Sequence, residues 1–283
     1  MRSRVAVASV VALLLVVAYV RAQQFGNQPA KLNIVKVKDD LFVIHNDFVP
    51  GNTTALITND GVLLVDDKYE VDYANVVGQL RKVTKQPIKY VVNTHYHADH
   101  SGSNAKMQAL GARVVSSEKA RERLLAGKQS GPADLTFDDR MRIRLGGKRV
   151  DLFYRGRGHT DGDIVAYFPQ HHVLAAGDLF AFGDATPELI DYAGGGSALE
   201  WPGTLDKILQ LDFEAVVPGH GVVTTKEEMR RFRASTQALV GRVRELKTQK
   251  KSRDEIEQML RKEFKWADLH VQMGLDGVIK EVQ

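Results

Sequence analysis

Four side chains of the kinds that bind metal ions lie within six consecutive positions of the stretch NTHYHADH. They are three histidines and one aspartate: His95, His97, Asp99 and His100. Neutral imidazole is the commonest side-chain ligand of borderline ions such as zinc, and carboxylates also bind such ions. Because so many polar groups would be costly to desolvate without a ligand, the stretch predicts a metal site rather than a purely structural cluster.

The stretch VVNTHYHADH begins with apolar residues and ends in polar ones, which predicts that the cluster lies at the end of a buried strand. Residues two apart in an extended chain share a face, so His95 and His97 are expected to converge on one point. The turn that follows is expected to carry Asp99 and His100 to a neighbouring point. This geometry suits two adjacent metal ions.

Three further donors occur downstream, and each lies just past a predicted strand. They belong to the motifs GHT, AGD and PGHG: His159, Asp178 and His220. A tetrahedral zinc ion takes about four ligands, so a single ion would leave donors over. Two ions about 3.5–4 Å apart, sharing a carboxylate and a bridging hydroxide, would use all seven. For the remaining histidines we expect surface positions or core packing: His45, His171, His172 and His270.

Short β-rich runs recur along the chain, and helical patterns separate them. The predicted strands cover residues 34–37, 41–44, 54–58, 62–65, 90–93, 113–115, 142–145, 150–154, 164–168, 172–175 and 215–217. Helical periodicity predicts helices at 71–83 and near 104–110. Groups of consecutive strands separated by helices indicate stacked sheets covered by helices.

The segment from Lys226 onward is highly charged and has helical periodicity. Its apolar residues fall close to one face: Met229, Phe232, Leu239, Val243 and Leu246. Capping boxes are predicted at Thr225 with Glu228 and at Ser252 with Glu255. We therefore expect a helical C-terminal tail, about 226–283, on a single domain that spans residues 23–283.

Residues 1–22 have the pattern of a secretory signal peptide. Two arginines precede an uncharged, mostly apolar run at 5–20, and Val20 and Ala22 stand at −3 and −1 of a cut before Gln23. The alternative is an uncleaved membrane anchor. Sixteen residues at about 1.5 Å each fall short of a bilayer core of about 30 Å, so export is favoured.

Composition narrows the class of protein further. The chain has no cysteine, so it has neither disulfides nor a lipidated cysteine. Signal cleavage would leave 36 basic residues against 35 acidic ones, which gives no reason to expect a nucleic-acid partner. We expect an exported protein, periplasmic or secreted, without stable membrane insertion after cleavage, that acts on a small-molecule substrate. Nothing in the sequence predicts its oligomeric state.

The motifs HYHADH, GHT, AAGDLF and PGHG, in this order, resemble those of the metallo-β-lactamase superfamily of metallohydrolases. The resemblance covers residues from about 31 to about 232. LLVDD at 63–67 is similar to the family's early strand, which ends in a structural aspartate, here Asp66. The resemblance implies an α/β (α+β) fold, the αββα sandwich of two mixed sheets flanked by helices.

The resemblance also implies how the ligands are divided. The first metal would take His95, His97 and His159, and the second would take Asp99, His100 and His220. Asp178 would bridge the two ions, and Asp99 would also orient the nucleophile as the catalytic residue. Three residues are candidates for supporting the ligands, although ordinary strand-end hydrogen bonding would explain each equally well: Asp66, Thr94 and Thr160.

By the same resemblance the protein would be a hydrolase with two Zn²⁺ per chain. A metal-bridging hydroxide would attack the carbonyl of a small ester, lactone, thioester or β-lactam. The lactamase subclasses that place cysteine on the second metal are excluded, and no lysine stands beside Asp178 to bind a lactam carboxylate. A bridging aspartate is more similar to the thioesterase and lactonase branches, while export disfavours glyoxalase-type thioesters.

Two alternative functions remain open. The same donors resemble those of iron-dependent persulfide oxygenases, in which one iron is held by two histidines and a carboxylate. A non-catalytic metal-binding module is the other alternative. Whether the protein is the hydrolase or the oxygenase, loops 47–53 and 180–201 are expected to line the pocket. Their aromatic residues are candidates for apolar walls or for core packing: Phe48, Phe180, Phe182, Tyr192 and Trp201.

Overall fold

The computed structural model describes residues 28–47, 49–181 and 189–282. The predicted signal peptide lies outside the described residues, and so do Phe48 and Phe182. Within the described residues, no helix is both long and apolar enough to cross a membrane.

The described strands form two mixed sheets. The first sheet has the strands in sequence order: β1 (Asn33–Lys38), β2 (Leu41–His45), β3 (Thr53–Thr58), β4 (Gly61–Val65), β5 (Ile88–Val92), β6 (Arg113–Ser117) and β7 (Leu135–Phe137). Strands β1 to β4 are antiparallel neighbours, and β4 to β7 pair in parallel. The second sheet has the order β13-β12-β11-β10-β9-β8: β8 (Arg140–Leu145), β9 (Lys148–Tyr154), β10 (Ile164–Phe168), β11 (Val173–Gly177), β12 (Ala215–Pro218) and β13 (Thr224–Thr225). Its one parallel pair among the described strands is β11 with β12.

Helices connect the strands and cover both sheets. They are α1 (Tyr73–Arg81), α2 (Ala98–Ser101), α3 (Asn104–Ala109), α4 (Glu118–Ala126), α5 (Trp201–Ile208), α6 (Lys226–Thr248), α7 (Arg253–Glu263), α8 (Asp268–His270) and α9 (Asp276–Glu281). Single 3₁₀ turns occur at Glu70–Asp72 and Asp178–Phe180, and a π-helical turn occurs at Val271–Leu275.

Three apolar clusters show that the layers are stacked as helix, sheet, sheet, helix. The central cluster joins the inner faces of the two sheets and includes Leu63 of β4 and Phe168 of β10. A second cluster lies under α1 and α3 on the outer face of the first sheet. The third packs α5, α6 and the following helices on the second sheet. The predicted αββα sandwich is therefore confirmed.

The two sheets meet at the edge where β5, β11 and β12 end. The amide of Ile164, at the start of β10, donates to the carbonyl of Thr94, just past β5, with an N to O distance of 2.8 Å. The amide of Gly219, past β12, donates to the carbonyl of Gly177 at the end of β11, at 2.9 Å. Residues that follow these three strands are thus brought into one cleft.

Each predicted strand overlaps an observed strand, and both predicted helices are present. The tail is helical, and Ser252 and Glu255 form the predicted capping box. At the other predicted box, Thr225 caps α6 by accepting from the amide of Glu228. The predictions did not include α4, α5 or the short strands β7 and β13.

We expect Leu63→Ala to lower the free energy of unfolding by about 2–5 kcal/mol, because it leaves a cavity between the two sheets. Leu63 is fully buried. The matched control is Leu110→Ala, since the side chain of Leu110 is 49% exposed. Denaturant unfolding measures both variants, and an equal loss in the two would contradict the assignment of this core.

Candidate metal centre

All seven predicted ligand residues lie together at the edge where the sheets meet. They form two groups, and within each group the potential ligand atoms lie within 4.8 Å of one another. The first group is His95, His97, His159 and Asp178, and the second is Asp99, His100 and His220. Their role as ligands stays a prediction, but the division into groups is the predicted one.

The first group gathers residues from both sheets. His95 and His97 follow β5, and His159 follows β9. The Nδ1 of His97 lies 3.0 Å from the Nε2 of His159. The Nε2 atoms of His95 and His159 lie 3.8 Å and 3.6 Å from the Oδ2 of Asp178. Three imidazole nitrogens and one carboxylate oxygen therefore face a common point.

The second group lies on the other side of the same carboxylate. The Nε2 atoms of His100 and His220 are 3.2 Å apart. They lie 3.3 Å and 3.4 Å from the Oδ1 of Asp178. The Oδ2 of Asp99 lies 3.6 Å from His100 Nε2 and 3.4 Å from His220 Nε2. The two oxygens of Asp178 thus face different groups, as a bridging carboxylate does.

These spacings fit a bound metal ion. Ligand atoms about 2.0–2.1 Å from a tetrahedral ion lie about 3.3 Å from one another, which is close to the separations within both groups. The buried Nε2 of His95 has no hydrogen-bond partner among the described residues. Because an unpaired buried nitrogen is costly, a bound metal ion would supply the partner that this atom lacks.

Hydrogen bonds on the far side of the imidazoles fix which nitrogen faces each group. His159 Nδ1 lies 2.6 Å from the carbonyl of Leu189, and His100 Nδ1 lies 2.8 Å from Asp66 Oδ2. His95 Nδ1 lies 3.1 Å from the hydroxyl of Thr94. With a proton on each of these Nδ1 atoms, the lone pair of Nε2 points into the group, as metal ligation requires.

His97 has the opposite orientation, and Asp191 is the reason. The Nε2 of His97 lies 2.9 Å from Asp191 Oδ2, so the Nδ1 faces the group. The hydroxyl of Tyr96 donates to the same oxygen. Although burial opposes it, hydrogen bonds from His97 and Tyr96 hold the pKa of Asp191 well below its usual value, so the carboxylate is charged. A charged acceptor holds the proton on Nε2 and leaves Nδ1 free for a metal.

Two of the three predicted supporting residues contact predicted ligand residues. Asp66 accepts from the amide and the hydroxyl of Thr94, at 2.7 Å and 2.8 Å, as well as from His100. The hydroxyl of Thr160 donates instead to Asp163, at 2.5 Å, and its amide donates to the same carboxylate. Asp66 and Thr94 therefore orient the imidazoles of His95 and His100, whereas Thr160 shapes its own turn.

The loop that carries His220 is held close to Asp178. Asn52 holds this loop with three hydrogen bonds. Its backbone amide donates to the carbonyl of Gly219, at 2.7 Å, and its side-chain amide donates to the carbonyls of Pro218 and Gly221, both at 2.9 Å. A Cβ on Gly219 would collide with Asp178 Oδ1. Gly219, the first glycine of PGHG, is therefore required by this close approach.

Burial and neighbouring groups set the charges of the site. Burial and the nearby imidazole of His97 lower the pKa of His159 to about 4. Burial also holds the pKa of His95 well below its usual value. Both imidazoles are neutral near pH 7, the form that binds metals. Burial would raise the pKa of Asp178, but the imidazoles of His220 and His100 hold it well below its usual value, so this carboxylate is charged.

Two of the aromatic residues named as candidates for the pocket walls are core residues instead. Phe180 and Trp201 are about 1% exposed and pack in the outer cluster of the second sheet. The hydroxyl of Tyr192 donates to Glu281, 2.7 Å away, in the C-terminal helix α9.

The sequence predictions missed Asp191, Asn52 and Leu189. Asp191 and Leu189 lie in a loop without periodic pattern, and their contacts span tens of residues. The only indication of Asp191 was a general rule: a histidine that binds a metal donates its other ring N–H to an acceptor, so some acceptor near His97 was to be expected.

Comparisons with known proteins agree with this geometry. The family model of the metallo-beta-lactamase superfamily matches residues 46–220. The chain belongs to this superfamily. It is 27% identical over 218 residues to the metallo-beta-lactamase type 2 of Elizabethkingia meningoseptica, covering 74% of this chain and 86% of the relative. It is 28% identical over 193 residues to the metallo-beta-lactamase type 2 of Bacillus cereus, covering 67% and 74%.

Solved structures of superfamily members share the fold. A metallo-beta-lactamase from Pontibacter korlensis matches with a TM-score of 0.67 at 23% identity, covering 73% of this chain and 99% of that one. The DIM-1 metallo-beta-lactamase matches with a TM-score of 0.65 at 21% identity, covering 74% and 98%. Membership of the superfamily supports a metal-dependent hydrolase at the level of the family.

Asp191→Asn should lower the zinc affinity of the first group by about 10–100-fold, because the charged acceptor that orients His97 is lost. Competition with a chromophoric chelator measures the affinity. The control is Asp254→Asn, which makes the same change at a carboxylate that is 87% exposed in α7, outside the centre, and should leave the affinity close to that of the wild type. Equal affinities of the asparagine variant and the wild type would show that Asp191 does not orient this ligand.

Lys68 is a fully buried lysine beside the centre. Its ammonium donates to the carbonyl of Gly51, a residue that packs against the imidazole of His100. Burial lowers the pKa of Lys68 to about 7, although nearby carboxylates oppose this effect. In the unfolded chain a lysine titrates near 10.4, so between about pH 7 and pH 10 the unfolded state binds more protons than the native state. Lys68 therefore makes the free energy of unfolding rise with pH in this window.

We expect Lys68→Met to reduce this rise. Thermal unfolding of the wild type and the variant at about pH 7 and about pH 9.5 measures it, because the window lies between the native and unfolded pKa values. Lys85→Met, at an exposed lysine, is the control and should follow the wild type. If the three proteins show the same dependence on pH, burial does not lower the pKa of Lys68 in the native state.

Proposed function

We propose that the protein is an exported dinuclear zinc hydrolase that acts on the carbonyl of a small ester, lactone, thioester or β-lactam. The observation that carries the proposal is the position of the Asp178 carboxylate, whose Oδ2 faces the first group and whose Oδ1 faces the second. One carboxylate facing two separate sets of imidazoles is the arrangement of a two-metal site.

The residues fit zinc chemistry. When bound, a pair of zinc ions supplies a hydroxide at neutral pH and polarises the carbonyl oxygen of a substrate. His95, His97 and His159 would hold the first ion, and Asp99, His100 and His220 would hold the second. Nitrogen and carboxylate donors without thiolates are compatible with zinc, and the neutral imidazoles of the first group need lose no proton to bind it.

Asp99 is the proposed catalytic residue. Its side chain is 16% exposed, whereas that of His100 is fully buried, so Asp99 faces the cleft from the second group. Its carboxylate would orient the attacking nucleophile and accept its proton. It would then deliver that proton to the leaving oxygen, sulfur or nitrogen.

The substrate class rests on the comparisons and on the donors. The relatives named above are metallo-beta-lactamases, which favours β-lactams as one candidate. The bridging aspartate and the absence of cysteine favour esters and lactones equally. A mononuclear iron oxygenase would leave one of the two groups unused, and no contact in the described residues favours it. Export rests on the pattern of residues 1–22 alone.

The test of the proposal is turnover by the zinc-loaded mature chain, residues 23–283. A panel of lactones, aryl esters, thioesters and β-lactams is assayed under initial-rate conditions. We expect hydrolysis of at least one class, because the centre would supply both nucleophile and electrophile. A zinc-loaded protein that hydrolyses none of the four classes would contradict the proposed function.

Substitution of the ligands should remove metal and activity together. Asp178→Ala removes the shared carboxylate, and His97→Ala removes a donor of the first group, so both should lose bound zinc and turnover. His172→Ala is the matched control, since this histidine is exposed and lies outside the centre. Zinc is counted by elemental mass spectrometry beside each rate. Full zinc content with full activity in the Asp178 variant would contradict the bridging role.

A further inference from the structure

One loop is in contact with both the first metal-binding group and the C-terminal helices. We name residues 189–200, LIDYAGGGSALE, the glycine loop. On its inner side, Asp191 accepts from His97, and the carbonyl of Leu189 lies 2.6 Å from His159 Nδ1. The amide of Asp191 also donates to the carbonyl of His159, at 2.9 Å. The loop thus orients two of the three imidazoles of the first group.

On its outer side, the glycine loop is tied to one carboxylate of helix α9. Glu281 accepts from the hydroxyls of Tyr192 and Ser197, at 2.7 Å and 2.5 Å, and from the amide of Leu199, at 3.2 Å. The three donors come from both limbs of the loop, residues 189–192 and 197–200. A single charged side chain therefore holds the two limbs together, and hydrogen bonds to a charged acceptor are the stronger kind.

The limbs are connected inside the loop to the ligands. Tyr192 follows Asp191 directly. The amide of Ser197 donates to the carbonyl of Gly158, which precedes His159, at 2.9 Å. Displacement of either limb would therefore move a group that orients His97 or His159.

Helix α9 is itself held firmly in place. The ammonium of Lys247, in α6, donates to the carbonyls of Ile279 and Val282, at 2.6 Å and 2.5 Å. A Cβ on Gly277 would collide with the ring of Tyr192, so helix and loop are in close contact. Val278 is fully buried in the outer cluster. The carboxylate of Glu281 thus extends from a rigid support.

This support comes from a part of the chain that the family model does not match. The match ends at residue 220, whereas α9 spans Asp276–Glu281. The position of the glycine loop therefore depends on a segment appended to the matched region.

We propose that Glu281 is a positioning residue for the metal centre. It fixes the glycine loop and, through Asp191 and Leu189, the imidazoles of His97 and His159. The effect on metal rests on the proposed function, in which these two histidines are zinc ligands. The effect on the loop does not depend on metal.

Glu281→Ala tests the proposal in the full mature chain, and Glu281→Gln is the conservative variant that keeps one acceptor oxygen. Amide hydrogen exchange across residues 189–200 is measured in the metal-free protein. Zinc affinity is measured separately by chelator competition. The matched control is Asp276→Asn, because Asp276 lies in the same helix and pairs with Arg253, 2.6 Å away, outside the loop.

We expect Glu281→Ala to speed exchange in the glycine loop by at least about tenfold, since hydrogen bonds to a charged group are lost. The affinity of the first group for zinc should fall by about tenfold or more, because this group contains His97 and His159. The glutamine variant should recover part of both effects, and the Asp276 control should match the wild type. Tyr192→Phe removes one donor from the loop side and should shift both readouts in the same direction, which provides a second variant if Glu281→Ala folds poorly.

Unchanged exchange in the loop of a folded Glu281→Ala variant would overturn the proposal. Faster exchange with unchanged zinc affinity would also overturn it, because the loop would then not position the ligands. A wild-type protein that binds no zinc would contradict the proposed function itself. This result is distinguishable, since exchange in the metal-free protein still decides whether Glu281 fixes the loop.

Discussion

A charged carboxylate buried between two sets of imidazoles is the constraint on which the rest of this structure depends. Asp178 is 9% exposed, and its two oxygens face the two groups of nitrogens. A buried charge is tolerated only where cations or strong donors surround it. The protein meets this requirement with neighbouring imidazoles and, in our proposal, with two metal ions. The glycine that follows β12 then has to stay a glycine, because any side chain there would displace the carboxylate.

The site exists only when the sandwich is complete. The first sheet contributes the segment after β5, with His95, His97, Asp99 and His100, and the second sheet contributes His159, Asp178 and His220. Packing between the sheets therefore sets the distance between the two halves of each group, and the hydrogen bond from Ile164 to Thr94 joins the sheets at this edge. Loss of core volume and loss of metal affinity are expected to be coupled for this reason.

Sequence reasoning was most successful where a pattern repeats or where residue chemistry is rare. Alternating and continuous apolar runs located the long strands, and the density of histidine and aspartate located all seven residues that the structure brings together. It failed for β7 and β13, which span three residues and two residues. It also failed for Asp191, Asn52 and Glu281, because each acts through contacts with segments far away in sequence, and no local period reports such contacts. For Thr160 the sequence left two explanations open, and its hydrogen bond to Asp163 is the local kind.

The central claim is that two metal ions share the carboxylate of Asp178. The most direct test is the metal content of residues 23–283, the chain without the predicted signal peptide, purified without chelators and measured by elemental mass spectrometry against the protein concentration. The account predicts close to two zinc ions per chain. A content close to one iron per chain, with no second ion taken up on titration with zinc, would contradict it and would favour oxygen-dependent sulfur chemistry at a single site.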